Sequence, residues 1–194
     1  MRWMIAFALV SSAFASERGA LLYKEDFSGS TMPSGWAGKP GKWEMAGDAV
    51  KVSEVAEDKH AAVRRHPLQY HDAIIEMSFE LDGARMVAIS INNKGGHVCR
   101  LMINPNGAIL QVDQPNANSD QKAVRLATSN AKIAPGTWHK AVLEVHGPKM
   151  TAQIDDMPSF SGENPRVDVD KTDIGIPVAG VSAKIKNVKV YALK

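Results

Sequence analysis

The sequence predicts an all-β chain folded as a two-sheet antiparallel sandwich. Three observations predict it. Apolar and polar residues alternate over short runs, as in Ile75, Met77, Phe79 and Leu81 set against Glu76, Ser78 and Glu80. Gly, Pro, Asn and Asp punctuate those runs. Helical periodicity is nearly absent, and there is neither a repeat of solenoid length nor a low-complexity tract.

Along the chain, the first segment is a targeting signal rather than a strand. MRWMIAFALVSSAFA, residues 1–15, has a basic start at Arg2, a short apolar run and an A-x-A site at Ala13-Phe14-Ala15. The run is shorter than the roughly 20 residues that a bilayer span needs. Cleavage is expected before Ser16, and the protein is expected to be exported, periplasmic or extracellular, with residues 16–194 as one domain. Strands are expected at 21–27, 42–45, 49–52, 60–64, 74–81, 86–92, 98–103, 108–114, 124–127, 138–146, 149–155, 175–178 and 181–193. Gly47-Asp48 and Gly147-Pro148 read as hairpin turns, and Asp82-Gly83 as a turn closing a strand. Residues 115–122 read as a polar loop and 159–169 as irregular.

Composition narrows the partners. Lys and Arg total 23 against 21 Asp and Glu, and Arg2 belongs to the removed segment. This near balance, with charges interspersed, argues against nucleic acid or an anionic membrane as partner. No membrane span is expected. Cys99 is the single cysteine, so an intrachain disulfide and a multi-cysteine zinc site are excluded by count.

Splitting the strands by their period of two gives candidate faces. Cys99, Leu101 and Ile103 share a core face that also takes in His97, while Val98, Arg100 and Met102 point the other way. With sequential strands as neighbours, one polar face is expected to carry Glu76, Ser78, Glu80, Ser90, Asn92, Arg100, Gln111 and Asp113. Small residues in its middle and hydrogen-bonding groups around them suit a polar ligand.

Several segments carry a family likeness: LLYKEDFSGSTMPSGW, GKWEMAGDAVKV, GTWHKAVLEVHGPKMTAQIDD and IKNVKVYAL. Together they resemble the concanavalin A-like, laminin-G-like jelly-roll sandwich. The nearest likeness is to bacterial exported domains of the 3-keto-disaccharide hydrolase type, which are family-16-like. Gly136, Trp138, Val145, Gly147 and Asp155 match the late pattern, and Asp156 stands where a glycine is usual. The resemblance implies carbohydrate as the ligand class, on the concave sheet, without choosing one chemistry. It therefore implies either an exported carbohydrate-binding domain or a hydrolase acting on glycosidic bonds of 3-keto disaccharides or related sugars. A cell-surface adhesion module is a third reading.

Catalytic candidates are Glu76, Glu80 and His97. The acidic motif of the glucanases of this fold is absent. Glu76 and Glu80 lie about 13 Å apart along a strand, wider than the carboxyl separations of glycosidases. The candidate ligand-binding residues are Arg100, Asn92, Ser90, Gln111, Glu76 and Trp36. Arg100 offers a planar five-donor group to hydroxyls or an acid, or an ion pair with Glu76 or Glu80. Trp36, in a Gly-rich loop, offers a face for a sugar ring. Trp43 and Trp138 read as sandwich packing, and Arg64-Arg65 as solvated charge. Cys99 reads as a core hydrophobe. No metal and no cofactor are expected, since His97 with Cys99 lacks a third ligand and residues 116–120 make a loose calcium pattern.

Overall fold

The computed structural model describes residues 16–194, so the expected targeting segment, residues 1–15, lies outside the described residues. Twelve strands are present among them: β1 (Arg18–Glu25), β2 (Lys42–Met45), β3 (Val50–Ser53), β4 (Ala62–Tyr70), β5 (Ala73–Asn93), β6 (Gly96–Asn104), β7 (Gly107–Val112), β8 (Val124–Ser129), β9 (Trp138–His146), β10 (Lys149–Ile154), β11 (Phe160–Glu163) and β12 (Lys171–Leu193). Every pairing is antiparallel.

Two long strands, β5 and β12, organise the rest. The first half of β5 pairs with β9 and with the second half of β12; its second half pairs with β6 and with the start of β12. This divides the strands into two leaves. Leaf A runs β11-β10-β9-β5-β12-β3-β2, with β1 also on β12. Leaf B runs β8-β7-β6-β5-β12-β4. Ile75, Met77 and Phe79 from the first half of β5 join Val87, Ile89 and Ile91 from the second half in one buried core. The leaves therefore pack face to face, and each half of β5 turns its polar residues to a different exterior. Burying a side chain such as Phe79 contributes about 2–3 kcal/mol.

The expected turn at Asp82-Gly83 does not form. The chain stays extended from Ala73 to Asn93 and passes from one leaf to the other. Gly83 has φ +76°, a conformation open to glycine at little cost. Opposite it, the register with β12 slips between Gly180 and Ser182, and Ser182 faces both Asp82 and Gly83. Ser182 Oγ donates to the Asp82 carbonyl at 2.9 Å. The glycine thus serves a bulge that bends a continuous strand, which local sequence does not distinguish from a reversal. The expected break at 179–180 is likewise a bulge within β12. The segment expected to be irregular holds β11 and a 3-10 turn, Pro165–Val167, capped by Asn164, whose Oδ1 accepts from the Arg166 N–H at 3.0 Å.

Candidate functional site

The bend in β5 separates the expected polar face into two. Glu76, Ser78 and Glu80 lie on the outside of leaf A. Ser90, Asn92, Arg100, Gln111 and Asp113 lie on the outside of leaf B, at the other surface of the sandwich.

On leaf A the carboxylates are already occupied. Glu76 Oε1 accepts from Arg18 Nε at 2.8 Å and from Arg18 Nη2, and Lys140 Nζ is 3.1 Å from Oε2. Burial pushes the Glu76 carboxyl up, but the Lys140 and Arg18 donors outweigh it and hold it below the usual value. Glu80 accepts from Lys184 Nζ at 2.9 Å, and this partner raises the Lys184 ammonium. Both carboxylates bind cations along one strand, so neither is left free to face the other across a bond.

On leaf B the polar groups form two short networks. Asp113, its side chain 2% exposed, accepts from Arg100 Nε at 2.7 Å and from Gln111 Nε2 at 2.8 Å. Arg100 is 24% exposed. Its Nη1 and Nη2 have no hydrogen-bond partner among the described residues. The expected pairing of Arg100 with Glu76 or Glu80 is thereby replaced by Asp113, because the two acids belong to the other leaf. The second network runs Asp173–Asn92–His97. Asn92 Nδ2 donates to Asp173 Oδ1 at 2.5 Å, and Asn92 Oδ1 lies 2.7 Å from His97 Nδ1. With the Asn92 oxygen as acceptor, His97 carries its proton on Nδ1 and leaves Nε2 as an acceptor. Burial lowers the His97 pKa, and Arg100 and Arg65 lower it further, so the ring is neutral at neutral pH.

His97 reaches this face through a bulge. Ile91 pairs with Cys99, but the next residue, Asn92, pairs with His97, leaving Val98 as the extra residue. Strict alternation puts His97 in phase with Cys99; the bulge brings it to the side of Asn92 instead. Cys99 is fully buried, and burial pushes its thiol up to about 12, which keeps it protonated and unreactive.

The tryptophans change places with respect to expectation. Trp36 is 5% exposed and is core, not a loop surface: its Nε1 donates to Tyr23 Oη at 2.8 Å, and its ring meets Phe27 and His66. Tyr23 itself stacks on His66, and burial raises its hydroxyl to about 12. The isolated bridge between Ala37 and Arg65 ties this segment to the edge of β4, which draws Trp36 inward. Trp138, expected in the core, is 38% exposed and lies beneath Lys186 Nζ, 4.2 Å from the ring centroid. Trp43 is buried, with Arg64 over its ring at 5.6 Å.

Arg65, read from the sequence only as solvated charge, also belongs to this face. β4 extends to Tyr70 rather than stopping at 64, and its alternation sends Arg64 and Arg65 to opposite sides. Arg65 pairs with Gly175, which pairs with Ser90, which pairs with Arg100. It lines a pocket of about 530 Å³ with His97, Gln114 and Asn116. Extending the period of two past Pro67 is the signal that finds it. Among the described residues no group of three or more His, Cys, Asp or Glu is arranged to hold a metal ion.

No family model and no curated protein matches the chain. Solved structures do. A protein of unknown function with galectin-like fold from Bacillus subtilis superposes with TM-score 0.67 at 11% identity, over 92% of this chain and 98% of that one. The carbohydrate binding module CBM66 from Bacillus subtilis gives 0.62 at 15%, over 81% and 96%. A β-glucanase from Bacillus licheniformis gives 0.60 at 10%, over 92% and 100%. At these identities the likeness is one of fold: the chain is a concanavalin A-like jelly-roll β-sandwich.

Proposed function

We propose that this protein is an exported carbohydrate-binding domain that takes a poly- or oligosaccharide on the outer face of leaf B. The observation that carries the reading is the buried Asp113. It orients Arg100 and Gln111 by hydrogen bonds while the remaining guanidinium donors of Arg100 are left for a ligand. Gly175, Ser90 and Ala88 keep the centre of the face low, and His97, held by the buried Asn92, adds a polar group at one end. A face of fixed donors and acceptors matches the hydroxyl pattern of a sugar. The carbohydrate binding module and the β-glucanase of like fold support this ligand class.

The hydrolase reading needs two carboxyl groups facing each other across a bond. Glu76 and Glu80 bind lysine and arginine on leaf A, and His97 is on leaf B. That arrangement favours binding over hydrolysis.

The test is titration calorimetry against a panel of poly- and oligosaccharides. Wild-type protein is expected to bind at least one. Gln111→Ala is expected to weaken that binding about threefold to tenfold, as for loss of one hydrogen bond, and to lower the melting temperature modestly because the buried Asp113 loses a donor. Well-folded protein that binds nothing in the panel overturns the proposal.

A further inference from the structure

The outer face of leaf B carries a row that crosses six strands at one register: Arg65, Gly175, Ser90, Arg100, Gln111 and Arg125. Residues paired this way share a face. The row has a guanidinium at each end and one between, and no acid anywhere along it. With strands about 4.8 Å apart, Arg65 and Arg100 are three spacings or about 14 Å apart at the backbone, and Arg100 and Arg125 about 10 Å. The two acids of this face lie off the row and are engaged: Asp113 by Arg100 and Gln111, Asp173 by Asn92. Arg65 and Arg125 are exposed, and neither forms a salt bridge among the described residues. Leaf A differs, for there Arg18, Lys140, Lys184 and Lys186 each hold a carboxylate.

Arg65 is also seated. A Cβ at Gly175 would come 3.2 Å from Arg65 Cγ and 2.5 Å from Ser90 Oγ. The missing side chain is therefore the space in which the Arg65 stem lies down on the sheet. With its stem over Gly175, the exposed Arg65 lines the pocket it shares with His97, Gln114 and Asn116. An arginine lining a pocket, with no salt-bridge partner among the described residues and with amide and imidazole groups beside it, suits a carboxylate on a hydroxyl-bearing ring. The planar fork of a guanidinium matches a carboxylate by two parallel hydrogen bonds.

We propose that this face selects a carboxylate-bearing polysaccharide, a uronic acid chain laid across the strands, with Arg65 and Arg125 reading carboxylates and Gly175 seating Arg65. The inference rests on the carbohydrate-binding reading of the face and adds the charge of the ligand.

The experiment compares matched hexasaccharides by calorimetry in about 50 mM salt: β-1,4-glucuronate against β-1,4-glucan, and β-1,4-mannuronate against β-1,4-mannan. At least one acidic chain is expected to bind tenfold or more tighter than its neutral counterpart. Arg65→Gln and Arg125→Gln are each expected to weaken the acidic chain about tenfold, and to weaken it more than any neutral chain. Gly175→Ala is expected to weaken the acidic chain as well, by lifting Arg65; the two exposed arginine variants, whose melts are expected to match wild type, carry the test if that variant unfolds. Binding is expected to fall as salt is raised. Equal affinity for neutral and acidic chains, or binding indifferent to Arg65→Gln and Arg125→Gln, overturns the acidic selectivity and leaves the carbohydrate face standing. Binding of no acidic hexasaccharide likewise overturns the acidic selectivity, while the carbohydrate reading falls only if nothing in the wider panel binds.

Discussion

The two halves of β5 carry the same alternation of apolar and polar residues and open onto different surfaces. On leaf A, Glu76 and Glu80 are answered by Arg18, Lys140 and Lys184, charge against charge. On leaf B, a single buried acid, Asp113, takes one edge of Arg100 and leaves the other edge open. Arg65 and Arg125 stand in the same row without an acid. An exposed face whose charges pair among themselves has little left to offer a ligand. A face whose acids are buried under their own donors presents the donors that remain. The apolar residues behind both faces are alike, so the difference lies in the placement of a few charges and not in the fold.

The largest expected effects test whether the two halves share one core. Phe79, on leaf A, and Leu101, on leaf B, are both fully buried. Phe79→Ala is expected to cost about 4 kcal/mol and Leu101→Ala about 3 kcal/mol. Each loss is expected to appear in one cooperative urea transition. Two separate transitions would mean that the leaves do not stabilise each other.

A smaller effect is expected at Asp113, and it sets the faces against each other. Asp113→Ala removes the acceptor that holds Arg100 and Gln111, and is expected to cost about 2 kcal/mol, since Arg100 keeps some contact with water. The matching change on leaf A, Glu80→Gln, breaks a partly exposed pair with Lys184 and is expected to cost under about 1 kcal/mol. Urea midpoints of the two variants make the comparison. Equal losses would erase the distinction between a built network and a surface pair.

The smallest effect is one of pH. Glu76 has its folded pKa held below the ordinary value despite burial, by Lys140 and Arg18. A carboxyl depressed in the folded state contributes stability that is present above its unfolded pKa of about 4.3 and lost as pH falls through the folded value. The melting-temperature gap between wild type and Glu76→Gln is therefore expected to be widest at pH 7 and to close toward pH 3. Thermal melts at both values check it, and a gap that stays constant with pH would detach the ion pair from stability.

Much of this was legible along the chain. Strict alternation marked Ile75, Met77, Phe79 and Leu81 as core, and Cys99 with Leu101 and Ile103. It also put Ser90, Arg100 and Gln111 on one face, where neighbouring strands do pair them. What escaped it were departures from period two. The bulge at Val98 moved His97 to Asn92, and the bulge at Gly83 sent Glu76 and Ser90 to opposite surfaces. Trp36 was misplaced because its partners, Tyr23, Phe27 and His66, come from other segments. Arg65 was read only as solvated charge, and not placed on the leaf B face, because its strand was expected to end at residue 64.

By itself, the sequence determined the all-β class, nearly all the strands and their inward residues, because side chains alternate along any extended chain whatever surrounds it. It also determined that a lone, in-phase Cys99 is packed away. Only the tertiary structure decided which outward residues meet. Whether a polar residue faces Asp113, a lysine or open solvent depends on strand order, on bulges and on Gly175, and those are set by pairings between segments far apart in the chain.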